Sequence, residues 1–347
     1  MNLHDRRKVG KTRLELPILG LGGAPLGNDR RVVPEDQALA AIEGAWRMGI
    51  RYFDVAPQYG HGLAEHRFGH VLREYPREDF ILSTKVGRIL TPRQAGREDA
   101  RQFKRPLAFD FHYDYSYDGI MRSFEDSLQR LGIQRADILF IHNLDWDNLP
   151  ERHEEFFRQA MDSGYRALDR LRCEGTVSAI GVGNNHWQMC QRFAAAGDFD
   201  CFMIATRSCY TLLQQETLDE FLPMCVRQNI GILIGGPYNS GILAKGTRAT
   251  GDFNYAPPPP AILDRVRRLE AVCERHGVPL QAAALQFPLG HPAVVSVVPG
   301  ARSGEQVERT VAAIAHPIPD DLWAELKAEK LIREDAPSPQ CSRTLRA

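Results

Sequence analysis

Long apolar runs are missing from this chain of 347 residues. No stretch approaches the ~20 consecutive apolar residues that span a bilayer. The first sixteen residues carry charges but no apolar segment behind them, so we expect no secretory signal. We therefore predict a cytoplasmic protein that does not have a membrane as its partner.

An excess of positive charge is also absent. The chain has 43 Lys and Arg against 44 Asp and Glu, a formal net charge of −1. A nucleic-acid partner calls for a basic surface, so this balance argues against one and favours a small-molecule substrate. We expect a monomer or a small homo-oligomer.

Paired cysteines are missing too. The seven cysteines are odd in number, are scattered, and include no C-x-x-C pair. In a chain without an export signal, this pattern indicates reduced and mostly buried thiols rather than a disulfide framework. We predict no metal site, because no set of three ligands is placed by spacing.

A repeated alternation of short apolar runs and amphipathic segments is present instead. The runs predict strands at 18–23, 51–56, 80–85, 137–142, 176–182, 201–206, 230–236 and 294–299. Segments with helical spacing separate them, as in Asp118 to Leu131, where Ile120, Phe124 and Leu128 share one side. A small hairpin is expected at 6–15, and a long irregular segment from 86 to about 115.

Eight strands that alternate with helices predict a single (β/α)₈ TIM barrel over residues 1–334. The hairpin precedes it, extra helices at 303–315 and 320–330 close it, and we expect 335–347 to be a flexible tail. The alternative is a doubly wound open sheet. That fold needs a G-x-G-x-x-G fingerprint after its first strand, whereas LGLGGAPLG holds only G-x-G-G and a proline.

Four polar residues follow the predicted strands closely. Asp54 ends one apolar run and Tyr59 lies on the loop behind it; Lys85 and His142 end two later runs. Barrels carry their chemistry at the carboxyl ends of their strands, so these four side chains are expected to converge. An ammonium group beside a phenol stabilises the phenolate, and a carboxylate keeps the ammonium group charged. Each residue taken alone has a simpler explanation, such as a helix cap for the aspartate or packing for the tyrosine.

In their local contexts, DVAPQYG, STK and IHN, these four residues resemble the aldo-keto reductases. The resemblance implies catalysis by Tyr59, Lys85, Asp54 and His142, with NAD or NADP as the cofactor. Tyr59 is then the general acid or base, Lys85 and Asp54 adjust its proton affinity, and His142 orients the substrate.

The same resemblance assigns cofactor contacts, with departures from the family pattern. Gly183 stands where the family has the serine of a Ser-Asn pair, and Gly235 stands where it has an aromatic residue over the nicotinamide, so Tyr210 is the candidate to cover that ring. The backbone of 238–241 resembles a pyrophosphate-binding loop, and 298–310 resembles the adenosine-binding segment. The candidates are Gly23, Asn184, Tyr210, Pro237, Tyr238, Asn239, Ser240, Gly241, Gly300, Arg302, Ser303 and Gln306.

The segment 114–132 resembles one branch of the family, which contains bacterial L-fucose (D-threo-aldose) 1-dehydrogenases and pyridoxal 4-dehydrogenase-like proteins. This implies oxidation of a cyclic hemiacetal to a lactone, on an aldose or, alternatively, on pyridoxal. Candidate substrate-binding residues are Gln58, His112, Tyr113 and Trp146. The arginine-rich stretch from Arg88 to Arg105 is interpreted as a solvated loop, with an anion-binding role as the alternative.

Three other functions remain as hypotheses. One is general aldehyde or ketone reduction, and a second is a cofactor-sensing subunit without turnover, as in relatives attached to ion channels. The third is a metal-dependent barrel hydrolase. Intact Asp54, Tyr59, Lys85 and His142 argue against the second hypothesis, and bound metal would be the sign of the third.

Overall fold

Eight parallel strands form one barrel in the computed structural model of the protein, which describes residues 1–94, 102–206, 209–249 and 251–339. In chain order they are β3 (Leu21–Gly22), β4 (Tyr52–Asp54), β5 (Ile81–Val86), β8 (Ile138–His142), β9 (Ala179–Asn184), β10 (Cys201–Ile204), β11 (Gly231–Ile234) and β12 (Val294–Val297). Each pairs with the next in this order. Parallel bridges from Leu19 to Val297 and from Gly22 to Gly300 join the two ends of the sheet. The predicted barrel is confirmed.

Helices alternate with these strands and cover the outside of the barrel. They are α1 (Glu35–Arg47), α2 (Leu63–Leu72), α3 (Tyr117–Leu131), α4 (His153–Gln159), α5 (Tyr165–Cys173), α6 (Trp187–Ala196), α7 (Phe221–Gln228), α8 (Ile242–Lys245), α9 (Pro260–Arg275), α10 (Leu280–Gln286), α11 (Gly304–Ala315) and α12 (Asp320–Ala328). Helix α3 shows why they form. The Ser116 side chain caps its first turn, Ile120 and Phe124 bury its inner face, and Gly132 ends it with a φ of 61°.

The N-terminal hairpin closes the amino end of the barrel. Its strands β1 (Arg6–Lys8) and β2 (Glu15–Pro17) pair antiparallel. Val9 and Leu16 are fully buried in one cluster with barrel residues such as Tyr52. The Arg7 guanidinium donates to the carbonyl of Val294 at 2.7 Å. The hairpin therefore packs as a plug beneath the strands.

The segment expected to be irregular is largely a second hairpin. Strands β6 (Arg88–Pro92) and β7 (Phe109–Tyr113) pair antiparallel, with Arg88 opposite Tyr113. The prediction was wrong here because the charged residues hid a short alternating pattern. Arg97 and Arg101 lie outside the described residues.

A π-helical turn, Ala160–Gly164, joins α4 to α5. A side chain at Gly164 would clash, since its Cβ would lie 2.3 Å from the Tyr115 carbonyl oxygen. Only the start of the predicted tail is described. Ala336 is fully buried, and Pro337 accepts a hydrogen bond from Tyr210. Residues 340–347 lie outside the described part. No helix of the described residues has the length and apolar character that crossing a membrane requires.

Candidate active site

Three of the four predicted catalytic residues lie within strands of the barrel, near their carboxyl ends. Asp54 ends β4, Lys85 is the penultimate residue of β5, and His142 ends β8. Tyr59 lies in the turn that follows β4. Asp54, Lys85 and His142 are each less than 5% exposed. The structure thus brings all four to one rim, as the strand-end argument predicts.

Lys85 and Asp54 form a buried ion pair. Lys85 Nζ lies 2.6 Å from Asp54 Oδ2 and donates to the Val55 carbonyl at 3.0 Å. The other carboxylate oxygen, Asp54 Oδ1, accepts from the Ser83 hydroxyl at 2.7 Å. Both Asp54 oxygens are therefore engaged, which fixes the ammonium group in place. The pKa of Lys85 is raised: burial alone would lower it, but attraction to Asp54 and to Tyr59 outweighs that effect.

Tyr59 faces this ammonium group. Lys85 Nζ lies 4.7 Å from the centre of the tyrosine ring, and the His142 ring lies edge-on at 5.7 Å. The pKa of Tyr59 is raised, because desolvation outweighs the lowering effect of Lys85 and Asp54 also repels a phenolate. This net direction is opposite to the one we expected. The phenol is consequently protonated near neutral pH.

His142 is a neutral imidazole at this rim. Its pKa is lowered well below the usual range by burial, and by the nearby charges of Arg88 and Lys85. Its carbonyl accepts a hydrogen bond from the Tyr115 hydroxyl at 3.0 Å. Among the described residues, its Nδ1 has no hydrogen-bond partner. A neutral imidazole can donate one hydrogen bond to a substrate oxygen without adding charge.

Tyr115 was missed by the sequence argument, and it holds His142 through that backbone bond. The Gln159 side chain accepts from the Tyr115 backbone amide at 2.9 Å. Gly87, with a φ of 96°, leaves the room that the tyrosine ring occupies, since a Cβ there would lie 2.1 Å from the ring. The positive φ and this short contact, rather than a local motif, explain why residue 87 is glycine.

Arg88 was assigned to a solvated loop, and the structure contradicts this. Its side chain is buried, and its guanidinium lies 5.2 Å from the ring centres of Phe111 and Tyr113. These neighbours follow from the pairing of β6 with β7. The Arg88 charge is close enough to lower the pKa of His142.

The four predicted substrate-binding residues occupy different places. Tyr113 lies on the same hairpin face as Arg88, which its contact with the guanidinium shows. His112 is exposed and alternates to the other face of β7. Gln58 is half-buried directly before Tyr59. Trp146 packs against His186, with 4.4 Å between the ring centres.

Several predicted cofactor residues are used in local structure. A Cβ on Gly23 would lie 2.9 Å from the Asp54 carbonyl oxygen, and one on Gly300 would lie 2.5 Å from Pro25. Asn184 donates to the Leu144 carbonyl at 3.2 Å and accepts from the His186 amide at 2.9 Å. In these positions glycine permits close packing, and the amide of Asn184 fixes the turn after β9.

Tyr210 is placed in the core. It is fully buried, and its ring lies 5.0 Å from Phe287 and 5.8 Å from His291. Its hydroxyl contacts the Pro337 carbonyl at 3.5 Å. These contacts give the ring a packing role, and its assignment to the nicotinamide stays a prediction.

The loop after β11 keeps features that fit a phosphate-bearing cofactor. Asn239, Ser240 and Gly241 follow one another with φ values of 46°, 61° and 109°. Successive residues of unusual φ can turn backbone amides toward an anion. Asn239 Oδ1 is buried without a partner among the described residues, and a Cβ on Gly241 would meet open space. In contrast, Pro237 is buried, and the Tyr238 hydroxyl accepts from Gln281 at 3.3 Å.

The start of α11 is closed by its own side chains. Ser303 Oγ accepts from the Gln306 amide at 3.3 Å, and Gln306 Oε1 accepts from the Arg302 amide at 2.8 Å. These bonds satisfy the Gln306 amide in the first turn and the Arg302 amide just before the helix. Arg302 donates to the Asp29 carbonyl at 3.2 Å, while its Nε is buried without a partner in the described structure. Of this group, Arg302 keeps a donor for a ligand.

Metal ligands are not gathered at the rim. The described residues contain no cluster of three His, Cys, Asp or Glu side chains that could hold a metal ion. The site consists of a protonated phenol, a buried ion pair and a neutral imidazole, and these groups can exchange a proton with a substrate oxygen.

Comparison with known proteins agrees with this chemistry. The model of the Aldo/keto reductase family matches residues 18–330. A pyridoxal 4-dehydrogenase of Microbacterium luteolum is 42% identical over 94% of this chain and 98% of its own. A D-threo-aldose 1-dehydrogenase of a Pseudomonas species is 40% identical over 92% of this chain and 95% of its own.

Solved structures show the same fold. An aldo-keto reductase from Bacillus halodurans, in its holo form, superposes with a TM-score of 0.71 at 24% identity, covering 98% of this chain and 99% of its own. A glycerol dehydrogenase from Gluconobacter oxydans gives 0.73 at 22% identity, covering 99% of both. Fold and site define an NAD(P)-dependent oxidoreductase built on a TIM barrel. The chain belongs to the aldo/keto reductase family.

Proposed function

We propose that this protein oxidises the cyclic hemiacetal of an aldose, such as L-fucose or another D-threo-aldose, at its C1 hydroxyl to give the lactone. The observation that carries the proposal is the rim itself, where Tyr59 faces the Lys85–Asp54 ion pair beside a neutral His142. The 40% identity to a D-threo-aldose 1-dehydrogenase supports the choice of substrate.

A second candidate substrate is pyridoxal, which as a cyclic hemiacetal would yield 4-pyridoxolactone. The 42% identity to a pyridoxal 4-dehydrogenase favours it. Both substrates present the same reacting group, a hydroxyl on a ring carbon that also bears the ring oxygen. General aldehyde or ketone reduction is the third candidate, on the family's chemistry alone.

NAD or NADP, when bound, accepts the hydride from C1. The residues that would hold it are the 239–241 backbone, Asn239 and Arg302. Two of their side-chain atoms, Asn239 Oδ1 and Arg302 Nε, are buried without a partner in the described structure. Asn184 stays a candidate on the family resemblance, although its amide is engaged at the turn after β9. The Arg302 guanidinium is also the group that could discriminate a 2′-phosphate.

The protein's own side chains accept the proton of the C1 hydroxyl and position the reacting oxygen. As the C1 hydride leaves, the hydroxyl proton passes to the Tyr59 oxygen, and the C1–O bond becomes the lactone carbonyl. Lys85 stabilises the phenolate that must form before this step, while Asp54 keeps Lys85 charged. His142 donates to the reacting oxygen and so orients it.

A turnover screen tests the proposal. NAD⁺ and NADP⁺ are each combined with a panel of aldoses and with pyridoxal, and both the reduced coenzyme and the lactone are measured. We expect lactone from an aldose, with Tyr59→Phe as the inactive control. Lactone from pyridoxal alone would select the second candidate. Reduction of open-chain aldehydes with no lactone from any hemiacetal would reject both.

A further inference from the structure

Arg88 is a buried cation that makes no ion pair with a carboxylate of the described residues. Its side chain is 1% exposed. Among the described residues, no Asp or Glu oxygen lies within 4.0 Å of it, and its Nε and Nη1 have no hydrogen-bond partner. Those two nitrogens carry three N–H donors. Buried donors are nearly always paired, so this exception calls for an explanation.

Arg67 is the other arginine that is buried as a whole residue among those described, and it makes an informative contrast. Arg67 is 4% exposed. Its nitrogens donate to Glu35, to Asn28 and to the carbonyls of Leu26 and Val33. Arg67 therefore has a structural role, whereas most N–H groups of Arg88 have no hydrogen-bond partner in the described structure.

A buried acceptor lies close to Arg88. Arg88 Nη2 donates to Asn148 Oδ1 at 3.3 Å, and Asn148 Nδ2 donates to Asp145 Oδ1 at 2.8 Å. Asp145 is fully buried, and its other oxygen, Oδ2, has no partner in the described structure. Asn148 thus links Arg88, which has unpaired donors, to Asp145, which has an unpaired acceptor.

The pair lies beside the catalytic rim. Arg88 comes three residues after Lys85 and Asp145 three residues after His142, and their strands β5 and β8 are neighbours in the barrel. The aromatic rings of Phe111 and Tyr113 line the guanidinium. Unpaired donors and an unpaired acceptor, linked through one asparagine, are the two kinds of group that suit a hydroxyl, which accepts one hydrogen bond and donates another.

We propose that Arg88 and Asp145 form a subsite for an oxygen substituent of the substrate, distinct from the oxygen that is oxidised. This inference rests on the proposed function, and it explains recognition of a polyhydroxylated ring. Arg88 donates to the substituent and Asp145 accepts from it. A phenolate oxygen, as in pyridoxal, would use Arg88 only.

The test compares Arg88→Met with Arg67→Met as the matched control. Each variant is assayed with an accepted aldose and with its mono-deoxy analogues. We expect Arg88→Met to lower kcat/KM by roughly 10- to 100-fold on the full sugar, because it loses a charge-assisted hydrogen bond. On the analogue that lacks the recognised hydroxyl, the loss should nearly vanish. Arg88→Lys should restore part of the activity.

Stability provides the second readout. Removing an uncompensated buried charge is expected to leave the thermal midpoint of Arg88→Met unchanged or higher. Arg67→Met should lower the midpoint, since it leaves several carbonyls and a carboxylate without their donor. A lower midpoint for Arg88→Met, with kcat/KM reduced equally on the sugar and on all its deoxy analogues, would assign Arg88 to the fold and overturn the subsite.

Asp145→Asn distinguishes a sugar hydroxyl from the phenolate oxygen of pyridoxal as the group bound in the subsite. With a hydroxyl substituent, this variant should lose affinity together with Arg88→Met. With pyridoxal, loss of the carboxylate should leave affinity unchanged or improve it, which supports a phenolate at Arg88. Calorimetric titration of the sugar or pyridoxal into the inactive Tyr59→Phe background, with and without each further substitution, measures binding without turnover. Failure of the wild type to turn over any hemiacetal rejects the proposed function, whereas binding that is indifferent to Arg88→Met rejects the subsite.

Discussion

The proton affinity of one phenol governs the chemistry at the scale of single residues. Tyr59 lies against a lysine whose charge is secured by Asp54, yet burial still raises its pKa. Near neutral pH a phenol in this condition is almost entirely protonated, so the proton donor is the abundant form and the phenolate base is the minor form. The direction of the reaction therefore decides how the rate responds to pH, and three predictions follow from these side chains.

Tyr59→Phe should reduce the oxidation rate by roughly 10²- to 10⁴-fold, the range for loss of a positioned acid or base. Coenzyme affinity should stay within a few-fold of the wild-type value, since only the hydroxyl is removed. Tyr75→Phe, a change at a tyrosine that stacks on Trp46, is the control and should keep most of the rate. A Tyr59→Phe enzyme with near-normal turnover would contradict the acid/base role.

Oxidation should become faster as the pH rises. Its base is the Tyr59 phenolate, and because the pKa is raised, the phenolate is a minor form at neutral pH. Well below that pKa, its fraction grows about tenfold per pH unit. The reverse reduction uses the protonated phenol and should be nearly constant from pH 6 to 8. Profiles of kcat/KM in both directions check this, and an oxidation rate that is flat up to pH 9 would argue against Tyr59 as the base.

Lys85→Met should abolish most activity and destabilise the fold by about 3–5 kcal/mol, because it leaves the Asp54 carboxylate buried without its partner. Adding Asp54→Asn removes that charge and should restore much of the stability while activity stays low. Chemical denaturation and turnover assays separate the two effects. Activity that returned together with stability would mean that the pair serves the fold only.

At the scale of elements, the ends of strands and helices decide which side chains are available. Hairpin β6–β7 brings Arg88 against Phe111 and Tyr113, where a loop would have left it in solvent. The first turn of α11 consumes the Ser303 and Gln306 side chains in capping, although the sequence predicted that they bind the cofactor. Local hydrogen bonds thus compete with ligands for the same atoms.

Ser303→Ala should lower the free energy of unfolding by about 1 kcal/mol, through loss of the cap. Ser303→Asp keeps a capping oxygen and should retain wild-type stability. It also adds a negative charge at the helix start, so coenzyme affinity should fall if a phosphate lies there. Denaturant unfolding and coenzyme titration measure the two quantities. Unchanged affinity in Ser303→Asp would place the phosphates away from α11.

Strand order and the four rim residues could be predicted from the sequence because they depend on apolar runs and their ends. The partners of Tyr115 and Arg88 could not, since they come from segments far apart in the chain. Tyr210 shows the same limit: an aromatic residue near the motif looked suited to the nicotinamide, but packing against Phe287 buried it. Gly87 is another case. Its positive φ and the Tyr115 ring beside it explain the glycine, and both are known only from the folded structure.

At the scale of the whole molecule, the closed barrel buries most of the cysteine thiols that the structure describes. The described free cysteines 190, 201, 209, 225 and 273 are buried, and Cys173 is exposed. The five buried cysteines lie on α6, β10, α7, α9 and the loop after β10. Their reactivity therefore reports on packing around half the barrel. Whether the chain unfolds as the single domain we predicted can be read from them.

Thiol labelling during denaturation should show Cys173 reacting in the native protein and the five buried cysteines reacting together. For one cooperative unit, their labelling midpoint should coincide with that of tryptophan fluorescence, since Trp46, Trp146, Trp187 and Trp323 span the chain. Mass spectrometry of the labelled peptides resolves each site. Early labelling of the buried set, before the fluorescence change, would indicate two units that unfold separately.

The hairpin that plugs the amino end of the barrel also bears on the order of events during turnover. With Val9 and Leu16 filling that end, coenzyme and substrate of the proposed reaction would share the opposite mouth. Whichever molecule lies deeper must enter first and leave last. A rim that serves both ligands should therefore give sequential steady-state kinetics, and product inhibition patterns would identify the ligand that binds first.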